Sequence, residues 1–474
     1  MHVSDVGVKH GDAAAVTPGA TRAMWLAAAV SALGGLLFGY DWVVIGGAKP
    51  FYEAAFGLVT PWQQAWAVSC ALIGCLAGAS GSGVLADRHG RRPALLAAAL
   101  IFAVSSIGTS LAGGFGAFVA WRIAGGVAIG MASGLSPLYI AEIAPAGSRG
   151  RLVVLNQIAV VLGLLGAQIV NWLIAAPVPR GADVAAIAAS WNGTVGWRWM
   201  FAAAAVPAAA FVIGCLTIPE SPRWLAQRGR WDRADAVLRR LGGDAHADAA
   251  LAEIRTALAA APGRSLRAIV AEPRFRRVMV IGIALAVLQQ WCGINVIFNY
   301  AQEIFAGAGY AVSDTLFNIV VTGAVNCVFT LVALVTVERW GRRRLLLIGC
   351  VGLALIYAVL GGAYVAALQG WPLLLLVVAA IAVYAMTLAP VTWVALAEIF
   401  PGEARGASMA VATTALWGAC FLLTYTFPLI NAWAGTGYTF WCYGIVCAAG
   451  FLFILRRLPE TKGKTLEQIE REWR

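Results

Sequence analysis

Charge is scarce in this chain. Of its 474 residues only 12% are Asp, Glu, Lys or Arg, whereas 61% are hydrophobic and the mean hydropathy is +0.79. Soluble domains carry about 25% charged residues, so a water-solvated globule is excluded and an integral membrane protein is implied. Histidine is scarcer still: His2, His10, His89 and His246 all lie outside the long apolar runs, which argues against a buried histidine relay or metal site. The nine cysteines (Cys70, Cys75, Cys215, Cys292, Cys327, Cys350, Cys420, Cys442 and Cys447) fall inside apolar runs, as small core residues do, and not in polar loops at framework spacing. Strict apolar/polar alternation is missing and the runs are about 20 residues long, so helices and not a barrel cross the membrane. No His or Cys constellation has catalytic spacing, which leaves little room for an enzyme and implies no cofactor.

What the chain has instead is twelve apolar segments, at 24–47, 62–86, 93–114, 116–141, 152–176, 197–218, 278–300, 316–337, 345–368, 373–397, 407–430 and 438–455. An even number puts both termini on one side. Of the 34 Lys and Arg, all except Lys49, Arg180, Arg198 and Arg122 fall in the terminal tails or in loops on that same side, which the positive-inside rule assigns to the cytoplasm. A basic inner face meeting anionic lipid accounts for the net charge of +11 without nucleic acid. Residues 2–23 are polar and the first apolar run is too long for a cleavable signal.

The organisation read from these runs is a tail (1–23), a six-helix bundle (24–218), a cytoplasmic helical linker (219–277), a second six-helix bundle (278–455) and a C-terminal tail (456–474). The linker contains an amphipathic helix with Trp231, Ala234, Val237, Leu238 and Leu241 on one face, ended by Gly242-Gly243, and a second candidate bearing Leu251, Ile254 and Leu258. Duplication supports the two bundles. Asp87-Arg88-His89-Gly90-Arg91-Arg92 recurs as Glu338-Arg339-Trp340-Gly341-Arg342-Arg343, and Ala141-Glu142-Ile143-Ala144-Pro145 as Ala397-Glu398-Ile399-Phe400-Pro401, each about 250 residues downstream at the matching end of a segment. Arg149-Gly150 recurs likewise as Arg405-Gly406.

Two charges stand well inside predicted spans, Asp41 and Arg122. At about 1.5 Å per residue Asp41 lies about 26 Å from the inner end of the first segment, and Arg122 about 9 Å from the outer end of the antiparallel fourth. Both are in the outer half, so a close pair of opposite sign is expected. Such a pair can simply tie two helices together. It can also act as a proton switch, since burial and a neighbouring cation pull a carboxylate in opposite directions. Amides form the second group: Gln157, Gln289, Gln290, Asn295 and Asn326 lie within spans, where helix-to-helix hydrogen bonding is one use and recognition of hydroxyl-rich ligands another. On an ideal helix Gln290 and Asn295 are about 140° apart, so they share a narrow face only if the helix unwinds near Gly293.

Gly83 with the Asp87–Arg92 string, Pro219-Glu220-Ser221-Pro222-Arg223-Trp224-Leu225, Gln289-Gln290-Trp291-Cys292-Gly293-Ile294-Asn295 and Pro459-Glu460-Thr461-Lys462-Gly463 occur in order from residue 24 to about 470. Together they resemble the sugar porter family of the major facilitator superfamily. The resemblance implies an all-α membrane protein of twelve helices in two pseudo-symmetric six-helix bundles, importing a monosaccharide (hexose or pentose) with a proton by alternating access. It implies that Asp41 carries the proton beside Arg122, that Gln157, Gln289, Gln290, Asn295, Asn326, Trp393, Phe38 and Asn299 line the sugar site, and that Asp87, Arg91, Glu142, Arg149, Glu220, Glu338, Arg342, Glu398, Arg405 and Glu460 form a cytoplasmic gate. The expected partners are the sugar, the proton and the bilayer, with the chain acting as a monomer in a cell (inner) membrane, as Arg-, Ala- and Gly-rich usage also fits. A polyol or inositol symporter, a uniporter, and a sugar sensor on a transporter scaffold are the alternatives. Trp42, Leu416, Cys420 and Asn299 depart from the residues common in the family at those positions and leave the sugar open.

Overall fold

The structure, a computed structural model, describes residues 18–145, 149–179, 181–259, 272–400 and 405–462. Its described residues contain 12 helices long and apolar enough to cross a membrane: Arg22–Phe56, Pro61–His89, Arg91–Ser110, Phe115–Ile143, Arg151–Ile174, Asn192–Thr217, Phe275–Asn299, Val312–Val337, Arg342–Val365, Trp371–Ile399, Ser408–Ala434 and Thr436–Arg457. They are numbered here as the first to twelfth spans. Within the first bundle the first span packs on the fifth and the second on the fourth; the ninth and twelfth pair in the second bundle. The two bundles meet where the second span packs on the eleventh and the fifth on the eighth.

Small residues set the close helix crossings, as expected where backbone proximity replaces a hydrophobic driving force. A Cβ at Gly39 would stand 1.8 Å from the Val160 carbonyl, and one at Gly163 would stand 2.0 Å from that of Leu36, so the first and fifth spans touch backbone to backbone. That contact places the apolar run ending in Asp41 at the centre of the first bundle.

The internal repeat is visible in three dimensions. The second and eighth spans reach glycines in positive φ, Gly90 (108°) and Gly341 (86°), before the chain re-enters a helix. The exposed N–H groups that open the next helix then meet a carboxylate. Arg91 and Arg92 donate from the backbone to Glu220 (2.9 and 3.2 Å), and Arg342 and Arg343 donate to Glu460 (3.0 and 3.2 Å). A carboxylate at a helix N-terminus satisfies donors that the helix itself cannot and complements its dipole.

Several boundaries differ from the sequence reading. The first helix continues through Pro50 to Phe56, because one proline costs a single intrahelical bond that packing can absorb, so Lys49 is a span residue and only 2% exposed. The sixth span opens with a π turn, Asn192–Gly196. The seventh is interrupted at Gly293 and resumes as Ile294–Asn299 and Ala301–Gly307. Cys442 is exposed and Cys327 half-buried, so these two cysteines are not buried core residues. In the linker, Trp231–Gly242 buries Ala234, Leu238 and Leu241 and stops at Gly243, whereas in Asp244–Ala259 Ala247 is buried, Leu251 and Ile254 are half-buried and Leu258 is exposed. Trp224 and Arg228 fasten the linker to the second span through the Asp87 carbonyl (3.0 and 2.8 Å).

Candidate functional site

Arg122 Nη1 of the fourth span donates to Asp41 Oδ1 of the first. Both are nearly sealed from solvent, at 4% and 7% exposure. Phe201 stacks under the guanidinium at 5.4 Å. Arg122 Nε is left without a hydrogen-bond partner among the described residues.

Beside this pair lies an aromatic triangle. Phe38 and Trp42 of the first span and Trp417 of the eleventh stand edge to face, with centroids 5.7–5.8 Å apart. Trp42 is therefore a bridge between the bundles, next in sequence to the buried carboxylate. Such edge-to-face pairs add about 0.5–1.5 kcal/mol beyond their burial.

The break in the seventh span organises the amides. Gly293 adopts φ 85°, and a Cβ there would be 2.6 Å from the Tyr443 ring. With the helix phase reset, Asn295 Nδ2 donates to Gln290 Oε1, Gln290 Nε2 to Gln289 Oε1 (2.6 Å), and Gln289 Nε2 to the Tyr384 hydroxyl (2.7 Å). Three of the sequence-picked residues thus form one chain of polar groups across the seventh and tenth spans. Cys420 flanks it, with its sulfur 3.9 Å from Asn295 Nδ2. Gln157 is half-buried on the fifth span, Asn326 buried on the eighth and Trp393 half-buried on the tenth. Asn299 is elsewhere: it lines a small cavity with Asp41 and Arg122, apart from the amide chain.

At the basic end, Arg91 pairs with Glu142 (3.0 Å) and Asp87 (3.0 Å), and Arg342 pairs with Glu398 (2.8 Å), whose other oxygen accepts from Thr461 (2.6 Å). Each of these pairs joins helices of one bundle. Glu220 and Glu460 are helix caps, as above. Burial pushes the Glu220 carboxyl up from its ordinary value, against the opposing pull of the Ser221, Arg92 and Arg91 N–H groups. The side chains of Arg149, Glu338 and Arg405 lie outside the described residues.

The sequence reading missed a buried charge cluster at the opposite end. Lys49 Nζ reaches Glu53 (2.8 Å) on its own helix and also Glu303 of the second bundle, and it lies 5.5 Å from the Tyr300 ring centre. Asp41 and Arg122 are therefore not the only charges deep in a span. The i, i+4 spacing of Lys49 and Glu53 was the available signal. Tyr384 on the tenth span and Gln168, 1% exposed on the fifth, were also passed over.

The family model described as "Sugar (and other) transporter" matches residues 27–473. The chain belongs to the sugar transporter family. Among family members it is 38% identical to the D-xylose-proton symporter of Escherichia coli (strain K12), with 94% of each chain covered. It is 35% identical to the arabinose-proton symporter of Bacillus subtilis (strain 168), again with 94% of each covered, and 37% identical to the glucose transport protein of Synechocystis sp., covering 94% of this chain and 96% of that one. The inward-open structure of the xylose transporter XylE from E. coli superposes with a TM-score of 0.81 at 37% identity, covering 94% of this chain and 99% of that one. XylE bound to 6-bromo-6-deoxy-D-glucose superposes with a TM-score of 0.76, covering 96% and 99%.

Proposed function

We propose that this protein imports a monosaccharide together with a proton by alternating access between its two bundles. The observation that carries the reading is the sealed Asp41–Arg122 pair in a member of a family whose similar relatives are a xylose-proton and an arabinose-proton symporter. Asp41 is the proton carrier and Arg122 its ion-pair partner. The chain of Gln289, Gln290 and Asn295 offers donors and acceptors without fixed charge, as sugar hydroxyls require. Gln157, Asn326, Trp393 and Phe38 complete the lining. The termini and linker face the cytoplasm, on the positive-inside rule, in a cell (inner) membrane, and the chain acts as a monomer.

The arrangement corresponds to a state closed on the outside. Lys49 and Glu303 join the bundles at the outer end, and the higher superposition score is to an inward-open relative. The pairs of Arg91 with Glu142 and of Arg342 with Glu398, each held within a bundle here, form the cytoplasmic gate when the bundles come together on that side.

One proton moving down 100 mV releases about 2.3 kcal/mol. At about 1.4 kcal/mol per tenfold, that supports roughly a fiftyfold sugar gradient. The test is uptake into proteoliposomes across a panel of pentoses, hexoses and polyols, with internal pH followed simultaneously. At least one monosaccharide should enter with acidification of the lumen. Binding without flux, or flux without acidification, would refute symport.

A further inference from the structure

The cavity beside Asp41 has a volume of about 20 Å³. Three of its wall residues are polar, namely Asp41 and Arg122 from the first bundle and Asn299 from the second; much of the rest is apolar, from Trp42, Ile45, Val68 and Leu72. Two polar atoms of these residues, Arg122 Nε and Asn299 Oδ1, have no hydrogen-bond partner among the described residues, although Arg122 and Asn299 are each 4% exposed. A water molecule needs roughly 10–15 Å³ of such space and two to four polar partners. Here the space suffices, and the partners are one donor, one amide acceptor and one carboxylate.

We propose that this cavity binds a single water molecule that links the proton-carrying pair to Asn299, and that Asn299 is the residue through which the second bundle senses the proton. The proposal rests on Asp41 being the proton carrier. With Asp41 ionised, the water accepts from Arg122 Nε and donates one hydrogen to the carboxylate and the other to Asn299 Oδ1, so every unpartnered group is satisfied. Protonation turns one Asp41 oxygen from acceptor into donor. The water must then reorient, and its bond to Asn299 changes with it.

Asn299 is well placed to pass that change on. It ends the short helix Ile294–Asn299 that follows the Gly293 break, and Asn295 lies four residues earlier on the same face. Asn295 is the first donor of the polar chain through Gln290 and Gln289 to Tyr384. The short helix therefore connects the proposed water site at its last residue, Asn299, to the proposed sugar-binding amides that begin at Asn295. Asn299 acts through the water and the helix, as a positioning residue.

The test compares Asn299→Leu, which keeps the shape and removes the acceptor, with Asn299→Ser, which keeps an acceptor. Each is assayed in proteoliposomes for the steady-state accumulation ratio under an imposed proton gradient and for sugar counterflow without one. The Leu variant should lose accumulation tenfold or more relative to its own counterflow rate, and the Ser variant should recover most of that ratio. A Leu variant whose ratio equals the wild type overturns the link. A parallel loss of counterflow and accumulation, with the ratio intact, assigns Asn299 to folding or sugar binding and overturns it equally. Asp41→Asn is run alongside: if that variant still accumulates sugar, the underlying proton assignment has failed, independently of Asn299.

Discussion

At Gly293 one backbone angle decides how the seventh span presents its amides. A residue with a Cβ in the left-handed region costs about 1–2 kcal/mol, and here the Cβ would also press on Tyr443. Gly293→Ala should lower the unfolding temperature of the detergent-solubilised protein by several degrees and weaken sugar binding with it, because Asn295 can no longer reach Gln290. An unchanged melting curve would show that the break is not required. Residue-level reading of the sequence did well where two facts converged on one geometry. The depths of Asp41 and Arg122 on antiparallel spans bring them together, and the angular separation of Gln290 and Asn295 called for unwinding. The direction of Asn299, into the cavity beside Asp41, depends on a helix phase that is reset at the break, and Lys49 lay beyond the first apolar segment, 24–47, whereas the helix continues through Pro50 to Phe56.

At the scale of elements, the duplicated strings translate into duplicated construction. Glycine in positive φ turns the chain, and a glutamate from the far end of the same bundle caps the next helix, through Glu220 in one half and Glu460 in the other. Removing a helix cap costs about 0.5–2 kcal/mol. Glu220→Ala and Glu460→Ala should therefore each reduce thermal stability, and by similar amounts, since the geometry is shared. A loss confined to one of them would mean that the repeat is formal and not energetic. The resemblance alone assigned both residues to a gate. Their capping role could not be read from the sequence, because the residues capped lie more than 100 positions away.

For the whole molecule, the proposed outward-closed state makes the Lys49 contact between the bundles the one to break. Lys49 is placed between Glu53 of its own helix and Glu303 of the other bundle, and opening outward must separate it from Glu303. In Lys49→Met two carboxylates are left without their shared cation, and the outward-open state gains population. Apparent affinity scales with the fraction of protein in the competent state, so the external KM should fall several-fold. An unchanged or higher KM would remove Lys49 from the outer closure. The Phe38–Trp42–Trp417 triangle crosses between the bundles as well, so both a polar and an apolar contact must part for the sugar to enter.

The central claim is that Asp41 couples the two bundles' motion to a proton. It is tested most directly by Asp41→Asn in proteoliposomes with an imposed inward proton gradient, scoring accumulation above equilibrium and sugar counterflow on the same preparation. The account predicts that the variant equilibrates the sugar across the membrane but never concentrates it. Sustained uphill accumulation by Asp41→Asn would contradict the account.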